Sequence, residues 1–596
     1  MDIRRPLRPL PRILKARATG VDPDLVEAEE RAARMRKQRA REKRRAEVRL
    51  GLMATCFGAA FLAVGAKMGM VAMAEPVEPQ ARSYAAAIIN SRANIVDRNG
   101  AILATNLLTA SLYATPQDMA DPLGAVDGLM AIFPDLDSDR LLKDFTGNRK
   151  FVWVKRKLSP EQQQAVLDLG EPGLKVGPRE LRLYPNGAFA AHILGGTRFG
   201  VEGVRSAELV GTAGVELQFD EYLRDPANDG APLQLSIDLT VQSAMRQVLE
   251  GGMQLMNAKA ATGVLMEANT GRIISLVSLP DFDPNHRPPP PISGDPADSP
   301  LFNRAAQGTY ELGSTFKIFT AAQALESGVA TPDTMINTRG PLKWRNFEIN
   351  DFHDYGARLS LRDVIVHSSN VGVARLAASM GGESQQVFLR QLGLLDKLPL
   401  ELPETRRSAP LWPRNWSEIS TMTIAYGQGI AVTPVHLAAA YAAMVNGGLR
   451  VQPTLQNRVE MPTEDDRVIS ESTSFALRDM LRQVVVRGTA SLGDAEGYEV
   501  GGKTGSADKP NPQGAYYEDK VIGSFASAFP MSNPQYVLVV SLDEPKIDVL
   551  GEERRTAGWT AVPVSAEIIR RIAPLLGLRP NTGNETPQTS SLLSSN

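Results

Sequence analysis

The sequence predicts an α+β protein anchored by a single membrane helix near its N-terminus. One apolar stretch lies at 50–74, strand and helix patterns alternate between about 230 and 280, and a largely helical region separates them from strands near the C-terminus. This order is typical of an α+β domain whose sheet is completed by the later strands. A chain of 596 residues has room for several domains, at roughly one per 100 to 200 residues.

The apolar stretch at 50–74 is long enough to cross a membrane, because a helix rises about 1.5 Å per residue and the hydrocarbon core is ~30 Å thick. Its one charged residue, Lys67, lies near enough to one end to reach the lipid headgroups. A cleaved signal peptide is the alternative, for which the Ala-rich end at 72–74 would be suitable. An uncleaved anchor is favoured, since the stretch is too long for a signal peptide and follows a long N-terminal segment.

The segment before this stretch, 1–49, is strongly basic. Between Arg31 and Arg49 there are ten Arg or Lys residues but only two acidic ones, Glu42 and Glu47. Nucleic-acid binding is not expected, because no aromatic residues are interleaved with these charges. Lys and Arg are enriched on the cytoplasmic side of membrane helices, so the N-terminus is predicted to be cytoplasmic and everything after residue 74 to lie outside. The alternative interpretation of the basic segment, a solvated and partly helical run of charges, leaves the predicted topology unchanged.

Few residues are suited to metal binding or to disulfide formation. Cys56 is the single cysteine, which excludes an intramolecular disulfide and a zinc–cysteine cluster. His192 has no second His or Cys at metal-ligand spacing and is interpreted as a structural histidine. Neither a metal nor a cofactor is expected.

A polar, Pro-containing linker is predicted at 75–90, leading into a region that ends near residue 230. Within this region, Asn99-Gly100 lies between apolar runs, which is a strong signal for a β-hairpin. No second enzymatic signature precedes residue 230, so an intrinsic glycosyltransferase is not expected there.

The main domain is predicted to begin at 231 and to end at 579. A Pro-rich loop at 287–292 cannot form ladder or helix hydrogen bonds, and a surface loop is favoured over a polyproline ligand. The tail at 580–596 is rich in Ser, Thr and Asn and is expected to be disordered. The predicted strands are 233–238, 262–267, 273–277, 522–529 and 535–542, and the predicted helices are 240–255, 361–380, 434–446, 472–486 and 564–575.

A candidate nucleophile, Ser314, begins a predicted buried helix, in which apolar residues recur every third position and no Gly or Pro occurs before Gly328. Residues three apart share a helix face, so the Lys317 amine is predicted to lie beside the Ser314 hydroxyl at the helix N-terminus, where developing negative charge is favoured. Burial can lower a lysine pKa enough for it to act as a base. One Ser-x-x-Lys is nevertheless expected by chance in roughly every chain of this length.

Two further short motifs follow Ser314 in the chain. Ser368-Ser-Asn370 opens a predicted helical segment, and Lys503-Thr504-Gly505 lies where a strand is expected to begin. The glycine of the second motif permits close approach of a ligand to the backbone. Each motif is a weak signal alone, whereas all three in this order are a strong one.

These three motifs together occur in penicillin-binding proteins and serine β-lactamases. Over about 88–575 the chain resembles the class B penicillin-binding proteins, most closely the division-specific FtsI type. The residues that carry the resemblance are Arg92, Asp97–Gly100, Arg182, Tyr184-Pro185, Ala191-His192, Gly200–Gly203, Asp283–Asn285, Asn303-Arg304, Tyr310–Lys317, Ser368–Gly372, Gly427–Gly429, Thr433-Pro434 and Lys503–Ala507. Three positions depart from the family pattern: Ala93 and Leu312 replace a usual Gly and Pro, and Ser506 replaces the commoner Thr but keeps a hydroxyl.

The resemblance implies an elongated, non-catalytic pedestal of dimerisation-domain type at 75–230. It also implies a β-lactamase-like transpeptidase domain at 231–579, with a central antiparallel sheet and helices. Ser314 would attack the carbonyl of a D-Ala-D-Ala stem peptide, with Lys317 as the base, to form an acyl-enzyme. An amine of a second peptidoglycan strand would resolve this intermediate, whereas β-lactams would remain attached.

The resemblance assigns roles to the remaining motif residues. Ser368 and Lys503 would deliver a proton to the leaving amine, and Asn370 would bind the substrate amide. The backbone N–H groups of the nucleophile and of Ser506 would hold the oxyanion. The hydroxyls of Thr504 and Ser506 would meet the terminal carboxylate of the substrate.

Three alternative functions are disfavoured. A serine β-lactamase is usually small and soluble, without a large N-terminal extension. A division scaffold with a vestigial site would have no reason to keep costly buried Ser, Lys and Asn side chains. A Ser-His-Asp hydrolase would carry Gly-x-Ser-x-Gly, but Leu312 occupies the first Gly position, and His367, beside Ser368, is expected to be a structural neighbour.

The resemblance also implies a cellular context. The sequence Tyr310-Glu311-Leu312-Gly313-Ser314 and the moderate length favour a septal enzyme, with an elongation enzyme of the side wall as the alternative. A septal enzyme would pair with an FtsW-like SEDS glycosyltransferase, through its membrane helix and pedestal, and with other division proteins. The expected location is the bacterial inner membrane at the septum, with a periplasmic catalytic domain.

Overall fold

The computed structural model describes residues 10–20, 22–73, 92–202, 207–458, 460–511 and 513–581. Contacts divide the chain into two compact units, Met1–Arg82 and Ser83–Asn596. The predicted linker at 75–90 and nearly all of the predicted disordered tail at 580–596 lie outside the described residues.

The described residues of the first unit form two helices, α1 (Leu10–Ala18) and α2 (Pro23–Met73). From Pro23 onward, the predicted basic segment and the predicted membrane helix therefore belong to one helix of 51 residues, Pro23–Met73. The charged part is rich in Ala, Arg, Glu and Lys, which favour the helix, and contains no Gly. By length and composition, Glu47–Met68 is long and apolar enough to cross a membrane, and it overlaps most of the predicted span at 50–74.

The second unit begins with a sheet centred on a long strand, β2. The predicted hairpin at Asn99-Gly100 is confirmed, since β1 and β2 pair antiparallel around it. Further along, β2 pairs with β3 on one side and with β4 on the other, and α3, α4 and α5 cover one face of these strands. The elements are β1 (Ile95–Val96), β2 (Ile102–Ala114), α3 (Pro122–Ile132), α4 (Ser138–Phe145), β3 (Val152–Leu158), α5 (Pro160–Asp168), β4 (Leu174–Leu183), α6 (Ala191–Leu194), β5 (Gly196–Glu202), β6 (Ala207–Ala213), α7 (Gly214–Gln218), α8 (Asp220–Arg224) and β7 (Leu233–Gln234).

A buried carboxylate, Glu216 on α7, ties this region together. Its two oxygens accept from the Nε atoms of Arg92 (2.6 Å) and Arg182 (2.7 Å), and the Tyr184 hydroxyl donates to it at 3.3 Å. Arg92 also donates to Asp220 at 2.7 Å. The predicted resemblance motifs around Arg92 and Arg182 thus meet at one carboxylate, which sequence reasoning did not single out.

The rest of the unit is built on a five-stranded antiparallel sheet of order β14-β15-β16-β8-β9. Helices α9 and α17 pack together on the sheet, and α15 and α16 also contact its strands. The elements are α9 (Leu239–Leu255), β8 (Ala260–Glu267), β9 (Ile273–Leu279), α10 (Lys317–Glu326), β10 (Met335–Asn337), β11 (Leu342–Trp344), β12 (Phe347–Ile349), β13 (Arg358–Ser360), α11 (Leu361–Val366), α12 (Asn370–Met380), α13 (Gly382–Gln391), α14 (Glu418–Ile424), α15 (Pro434–Val445), α16 (Glu471–Arg487), β14 (Gly501–Pro510), β15 (Tyr516–Phe529), β16 (Tyr536–Asp543), β17 (Ile547–Val549), β18 (Glu552–Arg554) and α17 (Ala561–Leu575).

The predicted α+β class, with a central antiparallel sheet completed by C-terminal strands, is confirmed: the early hairpin β8–β9 joins the late strand β16. The predicted strand at 233–238 is wrong beyond Gln234, because β7 ends there and Asp238 turns to cap α9, accepting from the N–H groups of Thr240 and Val241. The predicted helix at 361–380 is wrong as one continuous element, because it divides into α11 and α12. The prediction that Ser368-Ser-Asn370 opens a helical segment is confirmed, since α12 begins at Asn370. The limits of the two domains, near residue 230, stay predictions.

Replacing Glu216 with Gln is expected to destabilise the second unit strongly. The change leaves two buried guanidinium groups without their shared counter-charge, which costs about 3 to 5 kcal/mol in comparable buried pairs. Urea unfolding of the purified chain, followed by fluorescence, measures the effect as a lower midpoint. Asp220→Asn is the matched control: Asp220 is more exposed than Glu216, so a smaller loss is expected, and an unchanged midpoint for Glu216→Gln would contradict the proposed contribution.

Candidate active site

Ser314 lies in a tight 3-10 turn, Gly313–Phe316, that leads directly into α10. The predicted helix is confirmed from Lys317 onward, and the nucleophile candidate therefore precedes its first regular turn. Ser314 is half-buried, whereas Lys317 is fully buried. This leaves the hydroxyl within reach of a ligand and shields the amine from water.

Glycines allow the backbone around Ser314 to pack closely against two other segments. Gly313 has a φ of +54°, and a Cβ there would lie 2.9 Å from the Ser506 carbonyl oxygen. A Cβ on Gly505 would lie 2.1 Å from the Leu312 oxygen, and one on Gly427 would lie 2.1 Å from the Gly313 oxygen. Side chains do not fit at these distances, so the turn, β14 and the 427–429 loop depend on glycine to meet.

Ser368 lies where the predicted helix at 361–380 breaks. Its φ of +64° ends α11, and α12 begins two residues later at Asn370. The break turns the Ser368 side chain toward two lysines: its hydroxyl lies 2.9 Å from Lys317 Nζ and 2.9 Å from Lys503 Nζ. The Lys317 amine also donates to the Ser368 carbonyl oxygen. The first, second and third predicted motifs therefore meet at one hydroxyl.

Burial of the two amines changes their protonation. It lowers the pKa of Lys317 well below its ordinary value; the nearby charge of Lys503 lowers that pKa further, while Asp351 opposes the shift. Burial lowers the pKa of Lys503 to about 7. A neutral Lys317 can act as a base at neutral pH, and Lys503 is poised to gain or lose a proton there.

Asp351 holds the Ser368 loop in position. Its carboxylate accepts from the Ser369 hydroxyl (2.7 Å) and from the Val371 N–H (3.0 Å). Asn370 lies beside it, and its side-chain amide donates to the Asn350 carbonyl oxygen at 3.0 Å. Asp351 was missed in the sequence because it belongs to no short motif, and a second aspartate, Asp354, lies in the same loop.

The third motif lies on β14, at the edge of the central sheet. Lys503 is fully buried, Thr504 nearly so, and Ser506 is exposed. The hydroxyls of Thr504 and Thr489 are 2.7 Å apart, and the Ser506 hydroxyl accepts from the Ala557 N–H at 2.9 Å. The strand thus places Lys503 and Thr504 inside the site and the Ser506 hydroxyl at its rim.

Among the described residues, no hydrogen bond joins the Ser314 hydroxyl to Lys317. The hydrogen bonds of the Lys317 amine go to Ser368 instead. In structures without substrate, catalytic hydrogen bonds are often incomplete and form only in the substrate complex. The arrangement can carry out acyl transfer, since it offers an accessible hydroxyl, a buried amine of lowered pKa and a second proton donor connected through Ser368.

The histidines lie outside this network. His192 is buried against Phe282, with ring centroids 5.3 Å apart, and burial lowers its pKa to about 4. His367 stacks on Tyr355 with a centroid distance of 5.3 Å. Within the described ranges, no three His, Cys, Asp or Glu side chains group as a metal site would require.

Comparisons with known proteins agree with this geometry. The penicillin binding protein transpeptidase domain matches residues 261–570, and the penicillin-binding protein dimerisation domain matches residues 87–228. The probable peptidoglycan D,D-transpeptidase FtsI of Caulobacter vibrioides is 35% identical, covering 90% of this chain and 90% of the relative. The probable peptidoglycan D,D-transpeptidase PenA of Neisseria gonorrhoeae is 31% identical, covering 76% of this chain and 80% of the relative.

Two further similarities extend over most of the chain. The peptidoglycan D,D-transpeptidase FtsI of Escherichia coli is 28% identical, covering 83% of this chain and 85% of the relative. The crystal structure of penicillin binding protein 3 from Mycobacterium tuberculosis superposes with a TM-score of 0.63 at 24% identity, covering 83% of this chain and 97% of that one. The latter similarity concerns the fold.

Replacing Lys503 with Met is expected to stabilise the protein at pH 6 more than at pH 9. At pH 6 the wild-type amine is charged when folded and bears the full cost of burial. Above its folded pKa of about 7 the buried amine is neutral while the unfolded chain still binds the proton, so wild-type stability rises with pH. The free energy of unfolding of the variant minus that of the wild type should therefore fall by about 2 to 3 kcal/mol between pH 7 and 9.

Urea unfolding at several pH values measures this change. Lys509→Met is the control, because Asp543 and Glu544 raise the pKa of Lys509 and keep it charged over the same range. A stability difference for Lys503→Met that stays constant from pH 6 to 9 would contradict the lowered pKa.

Proposed function

The chain belongs to the penicillin-binding protein transpeptidases, and from this we propose that it is a septal peptidoglycan D,D-transpeptidase working through an acyl-enzyme on Ser314. The observation that carries the proposal is the Ser368 hydroxyl, which contacts the buried amines of Lys317 and Lys503 beside the Ser314 turn. Such a pair of low-pKa amines can move a proton in both directions, as acyl transfer requires.

Acylation begins when the Ser314 hydroxyl attacks the carbonyl between the two D-Ala residues of a stem peptide. Lys317, whose pKa burial lowers, takes the hydroxyl proton as the Oγ–C bond forms. The oxyanion is held by the backbone N–H groups of Ser314 and Ser506, which lie on segments in close contact. The first turn of α10 adds its dipole to this stabilisation.

Release of the terminal D-Ala requires a proton on its leaving nitrogen. Ser368 supplies it and is reprotonated from Lys503, whose amine lies 2.9 Å from the Ser368 hydroxyl. The C–N bond breaks and the acyl group stays on Ser314. Asn370 aligns the substrate amide, while the Thr504 and Ser506 hydroxyls, with Gly505 between them, bind the terminal carboxylate near the charge of Lys503.

Cross-linking follows when an amine of a second strand attacks the acyl-enzyme. The proton of the attacking amine passes through Ser368 to Lys503, which lost one during acylation. Lys317 returns its proton to the Ser314 Oγ as the Oγ–C bond breaks, and a new amide joins the two strands. A β-lactam would acylate Ser314 in the same way, but its leaving nitrogen stays tethered by the opened ring, so the acyl-enzyme persists.

The cellular setting is proposed on the same basis. Helix α2 provides an anchor at Glu47–Met68, preceded by the basic stretch that favours a cytoplasmic N-terminus and a periplasmic catalytic domain. The FtsI-type relatives support a septal role. The membrane helix and the pedestal at 75–230 are the surfaces proposed to contact an FtsW-like SEDS glycosyltransferase and other division proteins, and the transpeptidase domain is proposed to occupy 231–579.

Replacing Ser314 with Ala is expected to abolish covalent labelling by fluorescent penicillin, because the change removes the hydroxyl proposed to form the acyl bond. Labelling is read on a denaturing gel after incubation of the purified chain. His367→Ala is the matched control and should keep most of the labelling. Labelling of Ser314→Ala at the wild-type level would refute the assignment of the nucleophile, and complete loss in His367→Ala would favour a histidine-dependent hydrolase.

A fluorescent fusion to the N-terminus is expected to collect at the division site in growing cells. The septal assignment requires the signal to form a midcell band that narrows with constriction. A patchy signal along the side wall, without midcell enrichment, would support the elongation-enzyme alternative. The Ser314→Ala fusion tests whether any localisation depends on acyl transfer.

A further inference from the structure

The edge strand β14 continues beyond the third motif, and Asp508 lies two residues past Ser506 on the same side of the strand. Lys503, Gly505 and Ala507 are buried along it, whereas Ser506 and Asp508 are exposed, as strand alternation requires. In the described part of the chain, no strand pairs with the outer edge of β14. An extended peptide can therefore add to this edge.

On the basis of the proposed transpeptidase function, the residue spacing along β14 places the third residue of the stem peptide beside Asp508. If the terminal carboxylate lies at Thr504 and Ser506, each earlier residue of an extended stem peptide lies about 3.4 Å farther along β14. The third residue of a pentapeptide is two residues before the terminal one, about 7 Å away. Ser506 and Asp508 are separated by the same two-residue step.

An opposite charge faces Asp508 from a neighbouring segment. Arg555 follows β18 and lies two residues before Ala557, whose N–H holds the Ser506 hydroxyl. Its guanidinium donates to the Glu518 carbonyl oxygen at 3.3 Å and lies 3.4 Å from the Glu553 carboxylate. Asp508 and Arg555 interact electrostatically, with burial raising the pKa of Asp508 and Arg555 lowering it.

Asp508 and Arg555 do not neutralise each other through a direct contact. No hydrogen bond or ion pair within the described residues joins Asp508 to Arg555. The other charges nearby have partners of their own: Lys509 contacts Asp543 at 2.7 Å and Glu544 at 2.8 Å. The Tyr516 hydroxyl donates to Glu311 at 2.9 Å. The Asp508 carboxylate, which has no side-chain hydrogen bond or ion pair among the described residues, thus lies within electrostatic range of a guanidinium that also contacts Glu553.

We infer that Asp508 and Arg555 form a subsite for the third residue of the donor stem peptide, selecting a side chain that ends in an amine and a carboxylate on one carbon. The amine pairs with Asp508 and the carboxylate with the planar guanidinium of Arg555. A diamino dicarboxylic acid such as meso-diaminopimelate satisfies both charges. A lysine side chain pairs with Asp508 but offers no carboxylate to Arg555.

The test compares two donor pentapeptides that differ at the third residue, meso-diaminopimelate or L-lysine. D-Ala release by the full chain in detergent gives kcat/KM for each, and protection of Ser314 from fluorescent penicillin gives their relative binding even if turnover is slow. Wild type should prefer the diaminopimelate donor by about tenfold, the value of one good charge pair. Arg555→Gln should bring this ratio close to one, and Asp508→Asn should weaken both donors.

Asp519→Asn, an exposed carboxylate on the same hairpin, is the matched control and should keep the wild-type ratio. Equal values for the two donors with wild type, or an equal loss for both donors in Arg555→Gln, would overturn the subsite. Failure of the proposed function itself would look different, since fluorescent penicillin would then not label Ser314 at all.

Discussion

The site depends on placing two lysine amines in the protein interior around one hydroxyl. Burying one ammonium group is costly and burying two side by side is more so, which is why the pKa of Lys317 falls and that of Lys503 approaches neutrality. The surrounding fold is arranged to hold this unfavourable state. Asp351 fixes the Ser368 loop, the sheet edge holds Lys503, and the turn before α10 holds Lys317. Stability is given up at the place where proton transfer is needed.

The periodic spacing of apolar residues predicted the helices and strands whose packing is regular. Helices such as α9 and α16 and strands such as β8 and β16 are long, and their apolar pattern survives into the folded state because tertiary contacts reinforce it. The motif residues Ser314, Ser368 and Lys503 could be singled out as well, since short motifs record side-chain chemistry directly. That the lysines of two motifs meet at the Ser368 hydroxyl could be seen only in the folded structure.

Where the prediction failed, a side-chain or backbone requirement opposed the local pattern. The run at 361–380 reads as one helix by composition, but Ser368 adopts a positive φ that no periodicity reveals, and the break is what aims its hydroxyl. Asp351 and Glu216 belong to no motif, and each acts on partners that are distant in the chain. Their roles follow from three-dimensional proximity, which a single sequence does not contain.

The stacking of Gly427, Gly313 and Gly505 has a consequence for how such a chain can change over time. Three separate backbones meet there with no space for a methyl group, so nearly every substitution at these positions would push the nucleophile away from its neighbours. Few variants at these three points would therefore be available to a bacterial population exposed to an acylating antibiotic. Substitutions of solvent-facing residues farther out on the cleft disturb the backbone less, so reduced drug sensitivity through this protein is expected to arise there.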